Sequence, residues 1–180
     1  ATESVQGRVQ ANRLLDQASH DGETSVATTR LLATALETPE GREQTNKFLN
    51  QASNDPGLAT STTAVLARTS ETPAGRLEAT RLMDGARQDQ QTSIPTVRLL
   101  ATALETPEGR EQTNKFLNQA SQDPGLAVST TAVLTKASET SEGRIEVTRL
   151  LDGASKDQQT SIPTIRLLAT ALETPEGREQ

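Results

Sequence analysis

The sequence contains no cysteine, tryptophan or tyrosine, and its only histidine is His20. The absence of cysteine excludes disulfides, thiolate zinc sites and cysteine nucleophiles. A single histidine excludes a metal site built from several histidines, and no base stands in a fixed relation to the many Ser and Thr hydroxyls. We therefore expect a protein that is not an enzyme, that holds no cofactor or metal and that takes no small-molecule substrate.

Long apolar runs and an excess of basic residues are also missing. The longest apolar stretches span a few residues, whereas a helix that crosses a bilayer needs about 20, so we expect no membrane insertion. The net charge of −6 and the pI near 4.9 argue against a nucleic-acid binder, because phosphate contacts need an excess of Lys and Arg. With 32% hydrophobic and 1% aromatic residues, a single globular core would lie close to the composition of disordered chains.

The sequence does contain an internal repeat with a 34-residue period. Its marker is Glu-Thr-Pro-Glu-Gly-Arg or a variant with one substitution, found at 37–42, 71–76, 105–110, 139–144 and 173–178, with a degenerate copy at 3–8. We predict one continuous array over residues 1–180, which we expect to be part of a longer array because repeat proteins usually need capping units. Its units are a partial first unit 1–36, four full units 37–70, 71–104, 105–138 and 139–172, and the start of another at 173–180.

A second period lies above the first. Residues 31–98 and 99–166 differ at only 13 of 68 positions, so the true unit is a pair of unlike 34-residue repeats. From the marker Gly onward, type 1 repeats (37–70 and 105–138) read Gly-Arg-Glu-Gln-Thr-Asn-Lys-Phe-Leu-Asn, and type 2 repeats (71–104 and 139–172) read Gly-Arg-Leu-Glu-Ala-Thr-Arg-Leu-Met-Asp or a close variant. Near-identical 68-residue units suggest recent duplication.

Each repeat holds two segments with helical spacing of apolar residues. The first is predicted from Thr38-Pro39 to about Ser53, because Thr is a good N-cap and Pro suits the first helical position. The second is predicted from Asp55-Pro56 in type 1 repeats and from near Ser93-Ile94-Pro95 in type 2 repeats. We predict an all-α fold, an α-solenoid of stacked two-helix repeats that forms an elongated rod or superhelix.

A Gly-Arg pair stands near the start of every first helix. Gly inside a helix costs up to about 1 kcal/mol relative to Ala, so its recurrence indicates close backbone packing; the alternative is an anion site at the helix N-terminus, with the Arg beside free N–H groups. We expect these arginines to form a ladder along the stack and to pair with columns of Glu or Asp. The columns are Gly7, Gly41, Gly75, Gly109, Gly143 and Gly177, and Arg8, Arg42, Arg76, Arg110, Arg144 and Arg178.

A second basic column is a candidate interaction stripe, although such a column is usually a solvated face. Its members are Arg13, Lys47, Arg81, Lys115 and Arg149.

The function predicted from these features is structural. We expect a non-enzymatic spacer, scaffold or self-assembling rod, whose partners are proteins or further copies of itself. Two alternatives remain open on the sequence: a protein-binding module that uses one face of the superhelix, and an extracellular adhesin stalk.

Overall fold

The structure is a computed structural model that describes residues 2–179. Within that range it is all-helical and contains no strand. The helices are α1 (Val5–His20), α2 (Gly22–Ala35), α3 (Pro39–Ser53), α4 (Pro56–Thr69), α5 (Pro73–Arg87), α6 (Gln90–Ala103), α7 (Pro107–Ser121), α8 (Pro124–Ser138), α9 (Ser141–Ser155), α10 (Gln158–Leu172) and α11 (Pro175–Arg178).

The predicted caps start these helices. In each first helix of a repeat the cap hydroxyl accepts the backbone N–H of the Gly three residues later, as in Thr38 to Gly41 at 3.1 Å. In each second helix an Asp carboxylate takes the same role, as in Asp55 to Leu58 at 3.1 Å. An Asp caps the second helix in every repeat, at positions 21, 55, 89, 123 and 157.

One predicted helix start is wrong. In the two type 2 repeats the second helix begins at Gln90 and Gln158, not near Ser93-Ile94-Pro95 or its equivalent, and Pro95 and Pro163 lie inside these helices. The carboxylate of Asp89 accepts the N–H of Thr92 at 2.7 Å and so fixes the start earlier. Pro95 lies early enough in the helix that its missing N–H removes one backbone hydrogen bond without ending the helix.

The main helix contacts connect each helix to the one three places further along the chain. This arranges the chain in three rows, α1–α4–α7–α10, α2–α5–α8–α11 and α3–α6–α9. Because a repeat supplies two helices and the contact spans three, the second helix of one repeat packs on the first helix of the next repeat but one. Repeats of the same type are therefore in direct contact.

The second helices form the inside of the array. They contact one another in the order α2, α4, α6, α8 and α10, whereas the first helices contact mainly second helices. Most residues of α4 and α6 are buried. The larger apolar cluster runs from Ala33 to Ala171 without a break between repeats. A second, smaller cluster joins α1, α3, α4 and α6 around residues such as Leu58 and Leu99. The sparse apolar residues therefore build two clusters, the larger of which extends through successive repeats.

At this length the array exposes about as much surface as a compact protein. The accessible surface is 8698 Å², close to the roughly 8,400 Å² of an ordinary compact protein of this mass. The reason is the three-row arrangement, since three helices share each level of the array and the length gained per repeat is smaller than for stacked pairs.

Candidate functional site: an alternating helix interface

The Gly-Arg pair lies at the joint between consecutive repeats. A Cβ added to any of five of these glycines would overlap the carbonyl group six residues earlier, because it would lie only 2.6–2.8 Å from the carbonyl carbon. The five are Gly41, Gly75, Gly109, Gly143 and Gly177. That carbonyl belongs to the last turn of the preceding helix, so any side chain would collide with backbone there. Glycine allows the chain to turn from one helix into the next with the two backbones in contact.

The Arg that follows closes the same joint. Arg42 Nη1 donates to the carbonyl of Leu36 at 3.1 Å, and Arg110 Nη1 donates to that of Leu104 at 3.2 Å. These carbonyls stand at a helix C-terminus, where they have no partner inside the helix. Since the Gly N–H is bound by the Thr hydroxyl and the Arg by a carbonyl, the groups that an anion would need are already engaged within the joint.

The expected arginine ladder does not form. Successive Gly-Arg pairs start α1, α3, α5, α7, α9 and α11, and these helices are distributed over all three rows. The expected Asp partner is present in two cases, Arg8 with Asp55 at 3.6 Å and Arg76 with Asp123 at 3.3 Å. Each pair connects helices three places apart.

A second set of ion pairs connects α6 to α9, and α2 to α5. The helix α2 has the same Arg and Leu positions as the type 2 second helix α6, and we call these two contacts the type 2 interfaces. Glu146 on α9 is buried, and its two carboxylate oxygens bind Arg98 of α6 at 2.7 Å and Arg149 of α9 at 2.6 Å. Arg149 also reaches Glu105 at 2.6 Å. Four residues at the equivalent positions make the same contacts one 68-residue unit earlier, with Glu78 between Arg30 of α2 and Arg81 of α5, and Glu37 bound to Arg81.

These networks perturb the arginines. Burial lowers the pKa of Arg98, but its hydrogen bonds to Glu146 and Glu142 outweigh burial, and the net shift is upward. For Arg81 the hydrogen bond to Glu37 is the main cause of a raised pKa. The charged form of each arginine is therefore favoured by the carboxylates that it binds.

An apolar contact accompanies each network. Leu36, at the end of α2, packs against Gly85 of α5, where an added Cβ would lie 2.9 Å from Leu36 Cδ1. Leu104 and Gly153 repeat the contact between α6 and α9, with the corresponding distance at 3.1 Å. The absence of a side chain on the first helix thus makes room for the leucine.

The type 1 interface uses different residues at the same positions. Between α4 and α7 the Arg is replaced by Ala64, the Glu by Gln112, the Leu by Ser70 and the Gly by Gln119. Ser70 is buried and its hydroxyl donates to Leu66 of its own helix. The two interfaces therefore exchange large for small and charged for neutral in a coordinated way.

The candidate interaction stripe is divided among these environments. Arg81 and Arg149 belong to the type 2 networks. Lys47 and Lys115 instead pair with Glu43 and Glu111 on their own helices, at 2.6 and 2.7 Å. The members lie on α1, α3, α5, α7 and α9, which the structure spreads over the three rows, so they do not form one continuous line.

The remaining surface offers little for chemistry. A cleft of about 670 Å³ between α6, α7 and α9 is lined by three basic and three acidic side chains, so its charge is balanced: Arg110, Arg149, Lys156, Glu105, Asp152 and Asp157. Within residues 2–179 no group of three or more His, Asp or Glu could hold a metal ion. No helix in the same range is long and apolar enough to cross a membrane.

Comparisons of the chain with protein-family models, with curated proteins and with solved structures returned no match.

The sequence carries a signal for this interface that a search at one repeat length misses. The interacting residues are 48 or 49 positions apart, as in Arg98–Glu146 and Leu104–Gly153. That distance equals neither 34 nor 68. Alternation of Arg with Ala, and of Glu with Gln 48 positions later, is visible in the sequence once the three-helix contact is known.

Proposed function

We propose that the chain is a non-enzymatic structural protein, an α-solenoid of two-helix repeats that serves as a spacer, scaffold or self-assembling rod. The observation that carries this proposal is the type 2 interface, which recurs with the same residue pairs 68 positions apart in α2–α5 and α6–α9. A protein that repeats its internal contacts in this way can be lengthened by adding units without building a new core.

The alternation of two interfaces supports a role in which length and register matter. If a type 1 first helix packed on a type 2 second helix, Gln119 would occupy the space that the side chain of Leu104 fills. Gln112 would then face Arg98 in place of a carboxylate. Specific pairing requires that wrong pairings cost free energy, and this exchange of large and small residues supplies such a cost. The array is therefore built to stack in one order.

The described surface also favours a spacer. Four of the five residues in the candidate stripe are engaged in ion pairs with Glu. Exposed ion pairs of this kind contribute little to stability and keep a repetitive surface solvated. Such a surface suits a rod that separates other elements.

A protein-binding module is the second candidate, and one observation favours it. The first helices α1, α5 and α9 each expose one aliphatic side chain at the same position, Val9, Leu77 and Ile145. Type 1 repeats have Glu43 and Glu111 there. One exposed aliphatic residue in each 68-residue unit would provide regularly spaced contacts for a partner with matching spacing.

The test is a chain in which residues 99–166 are duplicated in tandem. The duplication adds four helices, and each level of the array holds three helices, one from each row. The array therefore grows by one and a third levels. Since packed helices lie ~8–10 Å apart, the maximum dimension in solution scattering should increase by about 11–13 Å. The cross-sectional radius should stay constant. Growth in all dimensions, or loss of helicity in circular dichroism, would contradict the solenoid and with it the spacer.

A further inference from the structure

The second helix α10 presents a face that its counterparts α2 and α6 use for packing. In α6 this face holds Ile94, Arg98 and Leu104, and α9 packs on it. In α10 the same positions are Ile162, Arg166 and Leu172, and all three are exposed. Arg166 makes no ion pair within residues 2–179, whereas Arg98 binds two carboxylates. The exposed face of α10 therefore carries all the groups that the second helix contributes to a type 2 interface, and within residues 2–179 no first helix packs on them.

The internal interface specifies what would fit this face. On α9 the contacting residues are Gly143, whose added Cβ would lie 3.1 Å from Ile94 Cγ1, Glu146, which binds Arg98, and Gly153, which accommodates Leu104. Arg149, between them, holds Glu146 in place. A helix with Gly, then Glu, Arg and Gly at three, six and ten positions further on therefore carries every complementary group.

Other helices of the chain lack parts of this pattern. The type 1 helix α7 has Gln112 and Gln119 at the Glu and second Gly positions, and α1 has Gln10 and Gln17. A glutamine in place of the second Gly would occupy the space that Leu172 needs. The helices α5 and α9 have the full pattern, but their contacting faces are already used within the chain.

We propose that the exposed face of α10 is a docking site for a helix of the type 2 pattern, and that it rejects type 1 helices. The contact would bury Ile162 and Leu172, pair Arg166 with the Glu of the incoming helix and place Leu172 against its second Gly. This inference rests on the proposed function, because it extends the same interface beyond the chain, and it adds the identity of the partner.

The probe is a fluorescein-labelled peptide of residues 139–156, titrated with the full chain and followed by anisotropy. The matched control is the same peptide with Glu146→Gln and Gly153→Gln, which gives it type 1 identity. We expect saturable binding of the first peptide and at least about tenfold weaker binding of the second, because a hydrogen-bonded charge pair is lost and the leucine is obstructed. Equal binding of the two peptides, or no binding up to about 1 mM, would overturn the proposal.

The site is located with the chain variant Arg166→Ala, Leu172→Ser. Both residues are exposed, so the variant should keep its helicity and melting temperature. Binding of the first peptide should weaken at least about tenfold; unchanged binding would place the peptide elsewhere and overturn the proposal. The other possible occupant of this face is a second copy of the chain, and sedimentation of the chain alone tests for it. A dimer that the same variant abolishes would show that a second copy binds this face, contrary to the proposal. Failure of peptide binding with one-dimensional growth of the duplicated chain would reject the docking site alone.

Discussion

The side chain of Leu36 packs directly on the backbone of Gly85, although the two residues are 49 positions apart. A Cβ at Gly85 would lie 2.9 Å from Leu36 Cδ1 and 3.1 Å from Leu36 Cβ. In type 1 repeats the same two positions are occupied by Ser70 and Gln119. The small and large residues have changed sides of the interface.

The first prediction uses this exchange. Gly85→Gln should lower the free energy of unfolding by about 1–3 kcal/mol, the usual effect of overpacking a closed contact. Leu36→Ser alone should also destabilise, because it removes buried apolar surface. The double variant recreates the type 1 pair. Its loss in the free energy of unfolding should therefore be smaller than the sum of the losses in the two single variants. Urea denaturation in a double-mutant cycle measures the coupling.

The control for that cycle is Leu36→Ser combined with Gly153→Gln, since Gly153 contacts Leu104 and not Leu36. These two changes should be additive. Additivity in the Leu36–Gly85 pair as well would mean that the two residues are not coupled, and that the alternation of types has another origin.

The second prediction concerns insertions of different lengths. Duplicating residues 105–138 alone inserts a single repeat and places two type 1 repeats in succession. Two interfaces then become mixed, with a leucine facing a glutamine in one and a serine facing a glycine in the other. The melting temperature should fall below that of the chain in which residues 99–166 are duplicated, because that insertion preserves the order. Equal melting temperatures in differential scanning calorimetry would show that stacking is indifferent to repeat type.

The third prediction separates two kinds of glycine. Gly109→Ala places a methyl group 2.7 Å from the carbonyl carbon of Ala103, and should destabilise by about 1–3 kcal/mol or more, because backbone must move. At Gly22, at the start of α2, an added Cβ would meet no atom within 4 Å. Gly22→Ala should therefore be neutral or stabilising by up to about 1 kcal/mol. Thermal melts of the two variants compare the sites, and similar effects would reject the clash at the joint.

Much of the helical pattern could be predicted from local sequence. Thr-Pro and Asp-Pro mark helix starts by capping and by the fixed φ of proline, which are properties of adjacent residues. The predicted start of α6 is misplaced because it relied on a proline next to the cap. Pro95 lies inside the helix, and the true cap, Asp89, has no proline beside it. Local chemistry therefore predicts where helices occur more reliably than where each begins.

The packing order could not be predicted in this way. The 34-residue period suggests that equivalent residues, such as Arg42 and Arg76, lie one above the other. Their actual neighbours depend on the number of helices in each level of the array, and three helices per level shifts the contact to a separation of 48 or 49 positions. That number follows from how the second helices pack on one another inside the array, which no single repeat encodes by itself.

The fourth prediction concerns the buried carboxylate of the second network. Glu146→Gln keeps the shape of the side chain but removes the charge that binds Arg98 and Arg149. We expect a loss of about 1.5–3 kcal/mol in the free energy of unfolding, the range for hydrogen bonds to charged groups. The matched control is Glu43→Gln, which breaks an exposed pair with Lys47 and should change stability very little. Denaturation of both variants in low and in high salt measures these losses in the free energy of unfolding. Equal losses for the two variants would contradict a special role for the network.

The last prediction follows from the capping carboxylates. The pKa of Asp21 is lowered, first by the hydrogen bond from the Thr24 hydroxyl, and the pKa of Asp157 is lowered, first by the N–H of Gln159. A carboxylate whose pKa is lower in the folded state contributes stability above the unfolded value of about 3.9, and this contribution is lost as the pH falls through the folded value. Asn also caps helices but does not titrate. The variant Asp21→Asn, Asp157→Asn should therefore melt close to the unaltered chain at pH 7 and lose less of its melting temperature between about pH 4 and pH 2. Circular dichroism melts across that range measure the difference, and parallel curves for the two proteins would show that these caps do not contribute to acid unfolding.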